Sequence, residues 1–597
     1  MLFMKNSTKV AVCLIWAATL LTARVAVADD TPAPDASRID FHWAVKIPMR
    51  DGVHLNATLY TPRDQKGPAP CVFTLTPYIG QNYHERGVYF AAHGLPFLTV
   101  DVRGRGNSEG EFHPFIQEAR DGHDVVEWLA AQPYCNGKVA MWGGSYAGYD
   151  QWATAKELPP HLATIVPVAS AYAGVDFPMR NNVSYPYLVQ WLTYTSGHTS
   201  QEKIFGDGDF WQGIYRRWLE SGQAFSSVDS LAGNPLPPFH EWISHPYRDD
   251  YWATYNPTQD QYARMPFPIL TITGSNDDDQ PGALTFYREH MQYASAEARS
   301  KHYLVIGPWN HAGTRTPQAE FDGLKFGPAS LVDLPKLHVE WYAWAMQGGP
   351  KPEFLKKAVA YYVMGAEKWR YADSLDGVTA RGEPYYLDST TNATDVLTSG
   401  TLAAQKTARG TPDHYVYDPR DVSNAALEST IDPGARADQR MIYAQSGKEF
   451  VYHTARYAKP TEVSGVFKLS AWISIDQPDT DFRASIHEIA NDGSSILLTD
   501  DVLRARYRED LHAPKPIRTK EALRYDFTHF TFVSRQIKAG SRLRLVIASI
   551  NSIYSQKNYG SGKDVSSETV ADSRPVAISL YHDRAHPSAL VVPMGQP

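Results

Sequence analysis

Residues 43–62, "WAVKIPMRDGVHLNATLYTP", alternate apolar and polar positions on either side of an RDG turn, which predicts a β-hairpin. Three short apolar runs follow at wider spacing: "PCVFTLTPY", "LPFLTVDVRG" and "GKVAMWGGSY". Each closes in glycine or polar turn residues. Between the last two, Ala119, Val125, Val126, Leu129 and Ala130 recur at near-helical spacing. Buried strands alternating with amphipathic helices predict a parallel sheet covered by helices, spanning 29–171. The alternation stops over 172–256, where aromatic and polar residues mix in helical stretches. This segment is expected to form a helical cap inserted between strands. The sheet resumes over 257–355 with "FPILTITGSND" and "HYLVIGPWNHAG", separated by the helical "GALTFYREHMQYASA". From 356 to 597 short strands alternate with polar turns, as in "EVSGVFKLSAWISI" and "RLRLVIASIN", which predicts a β-sandwich of jelly-roll type.

The first 28 residues read differently. Lys5 and Lys9 precede an apolar run at 10–23, and "AVA" offers a small-residue cleavage site after Ala28. This is the layout of a secretory signal peptide. The run falls short of the ~20 residues a spanning helix needs. A periplasmic or secreted protein is therefore expected, with no stable membrane insertion after cleavage. Cys13 would leave with the signal. Cys71 and Cys135 are expected as buried free thiols, with a disulfide as the alternative in an oxidising compartment. With no CxxC and no clustered histidines, neither a metal site nor a cofactor is expected.

A chain of 597 residues exceeds a single core and implies several domains. Its formal net charge of −8, with no basic stripe, argues against nucleic acid as a partner. Homo-oligomerisation is left open.

The chemistry gathers at "MWGGSYAGYD", residues 141–150. A serine hydroxyl attacks a carbonyl only with a base in hydrogen-bond reach, an acid orienting that base, and donors facing the developing oxyanion. Gly143 and Ser145 fit the G-x-S-x-G nucleophile elbow between strand and helix. Ala147 stands where the second glycine belongs, and Gly148 follows one later. The later sheet runs end in Asp277 and His311, in the Ser, Asp, His order of α/β-hydrolases. Asp277 opens an acidic run that also reads as a solvated loop, although it lacks the spacing of a calcium-binding EF-hand.

The set "TPY", "DVRGRGNSEGEF", "GGSYAG", "GSNDDDQPGA" and "GPWNHAG", in this order, resembles the Xaa-Pro dipeptidyl-peptidase-like hydrolases. That superfamily includes cocaine esterases, glutaryl acylases and α-amino-acid ester hydrolases. The resemblance continues through "YVMGAEKWR" and covers nearly the whole chain. It implies an α/β-hydrolase core with a helical cap and a C-terminal jelly roll. It implies Ser145 as nucleophile, Asp277 as acid and His311 as base. It also implies that the Tyr146 N–H and the Tyr78 hydroxyl form the oxyanion hole.

For the substrate, the resemblance points to carboxylates that bind an α-ammonium. Asp278 or Asp279 would supply one or both. In the cap, Asn181 and Asn182 stand where acids are expected, and an amide cannot neutralise an ammonium. Arg180 beside them points instead to an acidic acyl group, and Asp249 and Asp250 are spare acids. Trp309, two residues before His311, is expected in an aromatic pocket wall. The expected function is hydrolysis of small ester or amide substrates through an acyl-enzyme. Alternatives are a dipeptidyl-peptidase releasing Xaa-Pro units and an inactive carbohydrate-binding or adhesive protein.

Overall fold

The structure, a computed structural model, describes residues 36–406 and 410–596. The expected signal peptide lies outside them. Ten strands form the first sheet. They are β1 (Ile39–Pro48), β2 (His54–Pro62), β3 (Ala69–Thr76), β4 (Phe97–Asp101), β5 (Cys135–Gly144), β6 (Leu162–Val168), β7 (Ile269–Asn276), β8 (His302–Asn310), β9 (Val359–Val363) and β10 (Lys368–Ala372). Their order across the sheet is β1-β2-β4-β3-β5-β6-β7-β8-β9-β10. From β4 through β9 neighbouring strands are parallel. Their carboxyl ends therefore share one edge, where α/β proteins place their sites.

The central strands are buried along their length because helices cover both faces. They are α1 (His84–Ala92), α2 (Glu118–Ala130), α3 (Tyr146–Lys156), and two further helices in the second half of the core. In α2 the expected apolar face is buried, but so are Glu118 and Asp121. Asp121 is paired with Arg103 at 2.6 Å, which satisfies its charge. Cys71 and Cys135, on the adjacent strands β3 and β5, are buried free thiols.

The cap contributes helices α4 (Tyr187–Tyr194), α5 (Gly208–Ser221) and α6 (Pro237–Ile243). It does not sit on the core as a loose flap. Trp211, Trp218, Phe239 and Trp242 belong to the same apolar cluster as the sheet residues Phe73 and Met141. Phe115 and Trp242 approach to 5.7 Å between ring centroids, and Tyr146 and Trp191 to 5.2 Å, within aromatic contact range.

A β-rich domain with its own core follows from Thr379. The first sheet runs on past position 356, where the C-terminal domain is expected to begin. β9 pairs in parallel with β8, and β10 pairs with β9, so both extend the first sheet. β9 is buried throughout. A short buried run carries no periodicity that assigns it to one sheet or the other. The β-rich domain docks on the core through main-chain pairing, Met364 N–H to Ser534 O at 3.1 Å and Gln536 N–H to Met364 O at 2.8 Å. It retains buried ion pairs of its own, such as Arg504–Asp481 at 2.8 Å.

The turn from β5 into α3 depends on small residues at two places. Ser145 has φ 64° and ψ −130°, a strained conformation for a residue with a Cβ. A methyl group at Gly143 would stand 2.8 Å from both Cβ and O of Ala147. At Gly148 it would stand 2.5 Å from Ser170 Oγ and 2.8 Å from Val168 O. Gly148, not residue 147, is where α3 crosses β6, which explains why alanine is accepted at 147. Gly148→Ala is expected to cost about 1–3 kcal/mol by overpacking. A denaturant titration checks this: the midpoint should fall while the m-value stays constant.

Candidate active site

Four strand ends deliver the chemistry. Tyr78 lies two residues past β3, Ser145 follows β5, Asp277 follows β7 and His311 follows β8. They line one open cavity of about 850 Å³, to which residues of the cap and of the β-rich domain also contribute walls.

His311 Nδ1–H donates to Asp277 Oδ1 at 2.8 Å. The other carboxylate oxygen accepts from Thr273 Oγ1 at 2.8 Å, and Oδ1 also accepts the Asp279 N–H at 3.1 Å. Burial alone would push the Asp277 carboxyl up. The bond to His311, the imidazole charge and these donors outweigh burial and hold it below the usual carboxylate value. An ionised Asp277 keeps the proton on Nδ1 and leaves Nε2 as the base.

The Ser145 hydroxyl is hydrogen-bonded to Tyr78 Oη at 3.2 Å and, among the described residues, not to His311. Catalytic hydrogen bonds in unliganded sites commonly tighten only around a substrate. Tyr78 Oη also receives Trp191 Nε1–H at 3.3 Å and the Tyr146 N–H at 3.4 Å. Burial pushes the Tyr78 phenol up, so it remains a neutral donor. The phenol O–H and the Tyr146 N–H thus converge beside the nucleophile, as an oxyanion hole requires.

The Tyr146 ring is fixed from behind. Its hydroxyl donates to Glu118 Oε1 at 2.6 Å and receives the Phe115 N–H at 2.5 Å. Burial pushes Glu118 up to about 7.

Asp278 and Asp279 both face the cavity. Asp279 Oδ2 lies 3.8 Å from His311 Nδ1. Burial, then repulsion from Asp176, Asp277 and Asp278, drives the Asp279 carboxyl far up, against the attraction of His311. Asp278, exposed on the cavity wall, is raised by partial desolvation, with Arg436 pulling the other way. Asp176 carries no sequence signal, being a lone acid in "YAGVDFP". It lines the cavity, accepts the Tyr172 and Gly282 N–H groups at 2.8 and 2.5 Å, and is pushed up to about 8 by burial. Trp191, whose indole reaches Tyr78, was missed as well.

Other expected residues lie elsewhere. Asn181 donates to Asp501 Oδ1 at 2.8 Å, and Asn182 to Leu511 O at 2.8 Å, so both amides serve the junction with the β-rich domain. Their φ values, 47° and 66°, explain the residue type: asparagine tolerates the left-handed region. Arg180 lines the cavity, but its guanidinium is engaged by Asp500 at 2.8 Å. Asp249 caps a helical turn by accepting the Tyr251 N–H, and neither it nor Asp250 lines the cavity. Trp309 is not a pocket wall. Its ring folds back over Gly307, where no Cβ obstructs it, and its Nε1–H reaches Ser330 O at 3.0 Å inside the core.

The geometry predicts two kinetic outcomes. Tyr78→Phe removes one oxyanion donor and should lower kcat by about 10²–10³-fold with KM nearly unchanged. A rise in KM alone would make Tyr78 a packing residue. The second outcome concerns pH. Burial depresses His311, but Asp279 and Asp277 together outweigh it and raise its pKa. Because the base must be neutral, kcat/KM should fall as pH drops through this raised pKa. Asp279→Asn should move that acid limb to lower pH. A limb that stays in place would leave the rise to Asp277 alone.

The arrangement matches known proteins over most of the chain. Residues 51–313 match the X-Pro dipeptidyl-peptidase (S15 family), and residues 354–591 match the X-Pro dipeptidyl-peptidase C-terminal non-catalytic domain. The cocaine esterase of Rhodococcus sp. (strain MB1 Bresler) is 27% identical over 584 residues, covering 92% of this chain and 98% of that protein. Among solved structures, an aminopeptidase from a marine sediment Thaumarchaeota archaeon superposes with TM-score 0.79 at 22% identity, covering 95% of this chain and 98% of that one. An α-amino acid ester hydrolase superposes with TM-score 0.77 at 21% identity, covering 96% and 100%. The chain is a serine hydrolase that joins the catalytic domain of the S15 X-Pro dipeptidyl-peptidase family to that family's C-terminal non-catalytic domain.

Proposed function

We propose that the protein hydrolyses esters or amides of small acyl groups that carry an α-amino group, and that it does so outside the cytoplasm. Ser145 attacks the carbonyl, and His311 takes the serine proton and passes it to the leaving group. Asp277 holds the imidazolium, and Tyr78 with the Tyr146 N–H holds the oxyanion. Water then releases the acyl group by the same steps.

The observation that carries the substrate class is the crowding of Asp176, Asp278 and Asp279 around the catalytic pair. Carboxyls gathered on one cavity wall raise one another and favour a cation among them. A substrate ammonium placed among them would relieve that repulsion and fix the carbonyl against Ser145. Asp279 is the better placed of the two residues in the run, because Asp278 already feels Arg436. The leader at residues 1–28 supports the location.

The test compares Asp279→Asn with the parent on a phenylglycine ester and on the matching phenylacetic ester. It is run at a pH where His311 is neutral in both proteins. Losing one side of a buried charge pair should cost the amino ester roughly tenfold to a hundredfold in kcat/KM and spare the deamino ester. Equal loss on both would assign Asp279 to the histidine and overturn the ammonium reading.

A further inference from the structure

A second cavity, about 600 Å³, opens where the start of the cap, the helix Gln280–Tyr293 and the β-rich domain meet. Its charge runs against that of the chain. The sequence carries 65 acidic against 57 basic residues, yet this cavity is lined by Arg180, Arg248, Arg288 and Lys468 and by one carboxylate, Asp376.

These cations are poorly compensated. Among the described residues, Arg288 and Lys468 make no ion pair and no side-chain hydrogen bond. Arg248 gives only Nε–H to Gly174 O at 3.1 Å and a long contact to Asn181 Oδ1 at 3.4 Å. Arg180 spends both terminal nitrogens on Asp500, but its Nε is buried without a partner. The acids nearest Arg248 are taken by other donors. Glu289 accepts Tyr172 Oη at 2.8 Å and Tyr262 Oη at 3.0 Å. Asp501 accepts Asn181 Nδ2 and the His529 N–H, each at 2.8 Å. Asp176 accepts two backbone N–H groups. His529 senses the result. Burial and then Arg248, Arg180 and Arg288 press its ring down to about 4, so at neutral pH it stands as an uncharged hydrogen-bonding group in a positive space.

Three guanidinium groups and an ammonium facing a shared cavity with Asp376 as its single lining carboxylate repel one another. Carboxylates and phosphates present pairs of oxygens that match guanidinium donors in pairs. We propose that this cavity binds a multiply charged oxyanion, phosphate-like or polycarboxylate, with Arg248, Arg288 and Lys468 as its principal ligands. The site is separate from the hydrolytic centre, although Arg180 lines both cavities. It does not depend on the substrate reading above.

The test is titration calorimetry on the whole protein with inorganic phosphate and, separately, citrate, each against sodium chloride of matched ionic strength. Saturable binding of either, with a stoichiometry of about one, is the expected result. Phosphate alone would indicate a small inorganic or phosphorylated ligand, and citrate alone a polycarboxylate. Arg288→Met, a change at an exposed position, should weaken binding roughly tenfold through loss of a charge-assisted hydrogen bond. Arg248→Met should do the same, and Lys468→Met serves in its place if that variant does not fold. Ester hydrolysis by Arg288→Met should match the parent, which separates loss of this site from loss of the active site. Heats no larger than those of chloride, or binding that survives Arg288→Met unchanged, would overturn the proposal.

Discussion

Asp176, Asp277, Asp278 and Asp279 gather at one end of the cavity beside the His311 imidazole, and like charges brought together repel. Each part of the molecule helps to hold them. The core supplies Thr273 and the Asp279 N–H to Asp277. The start of the cap ties Asp176 to the N–H of Gly282, in the helix that follows the acidic run. The β-rich domain brings Arg436 toward Asp278. Cap, core and C-terminal domain are therefore joined where their charges are least comfortable. The result is an imidazole whose basicity is set by its surroundings.

The oxyanion hole rests on the same economy of placement. Tyr78 Oη receives two N–H groups and keeps one proton to give. In the resting site the hydroxyl shares a hydrogen bond with Ser145 Oγ at 3.2 Å, beside the position where an oxyanion would form. Burial keeps the phenol neutral, and stacking on Tyr194 at 5.5 Å restricts its ring. Donors placed before the charge appears avoid reorganisation during the reaction.

Much of this was legible along the chain, for identifiable reasons. Ser145, Asp277 and His311 sit at the ends of buried strands, where apolar runs stop at glycine and the residue type changes abruptly. What was misread has equally local causes. Asn181 and Asn182 suit a ligand site and a left-handed turn alike, and composition cannot separate the two. Trp309 neighbours His311 in sequence, but the glycine at 307 lets its ring fold into the core. Asp176 left no trace because its partners are backbone groups from distant positions. β9 was assigned to the wrong sheet because a fully buried strand carries no alternation.

Gln280 follows the acidic run directly. Its amide closes a two-point contact with the Phe532 backbone, Nε2–H to O at 3.0 Å and N–H to Oε1 at 2.5 Å. The loop bearing the catalytic acid is thus seated by the very domain that performs no catalysis. Recombination that exchanged the C-terminal domain as a cassette would disturb the seat of Asp277 as well as the pocket wall. In this chain a change of pocket specificity is therefore better sought by substitution within the joined pair than by exchanging its halves.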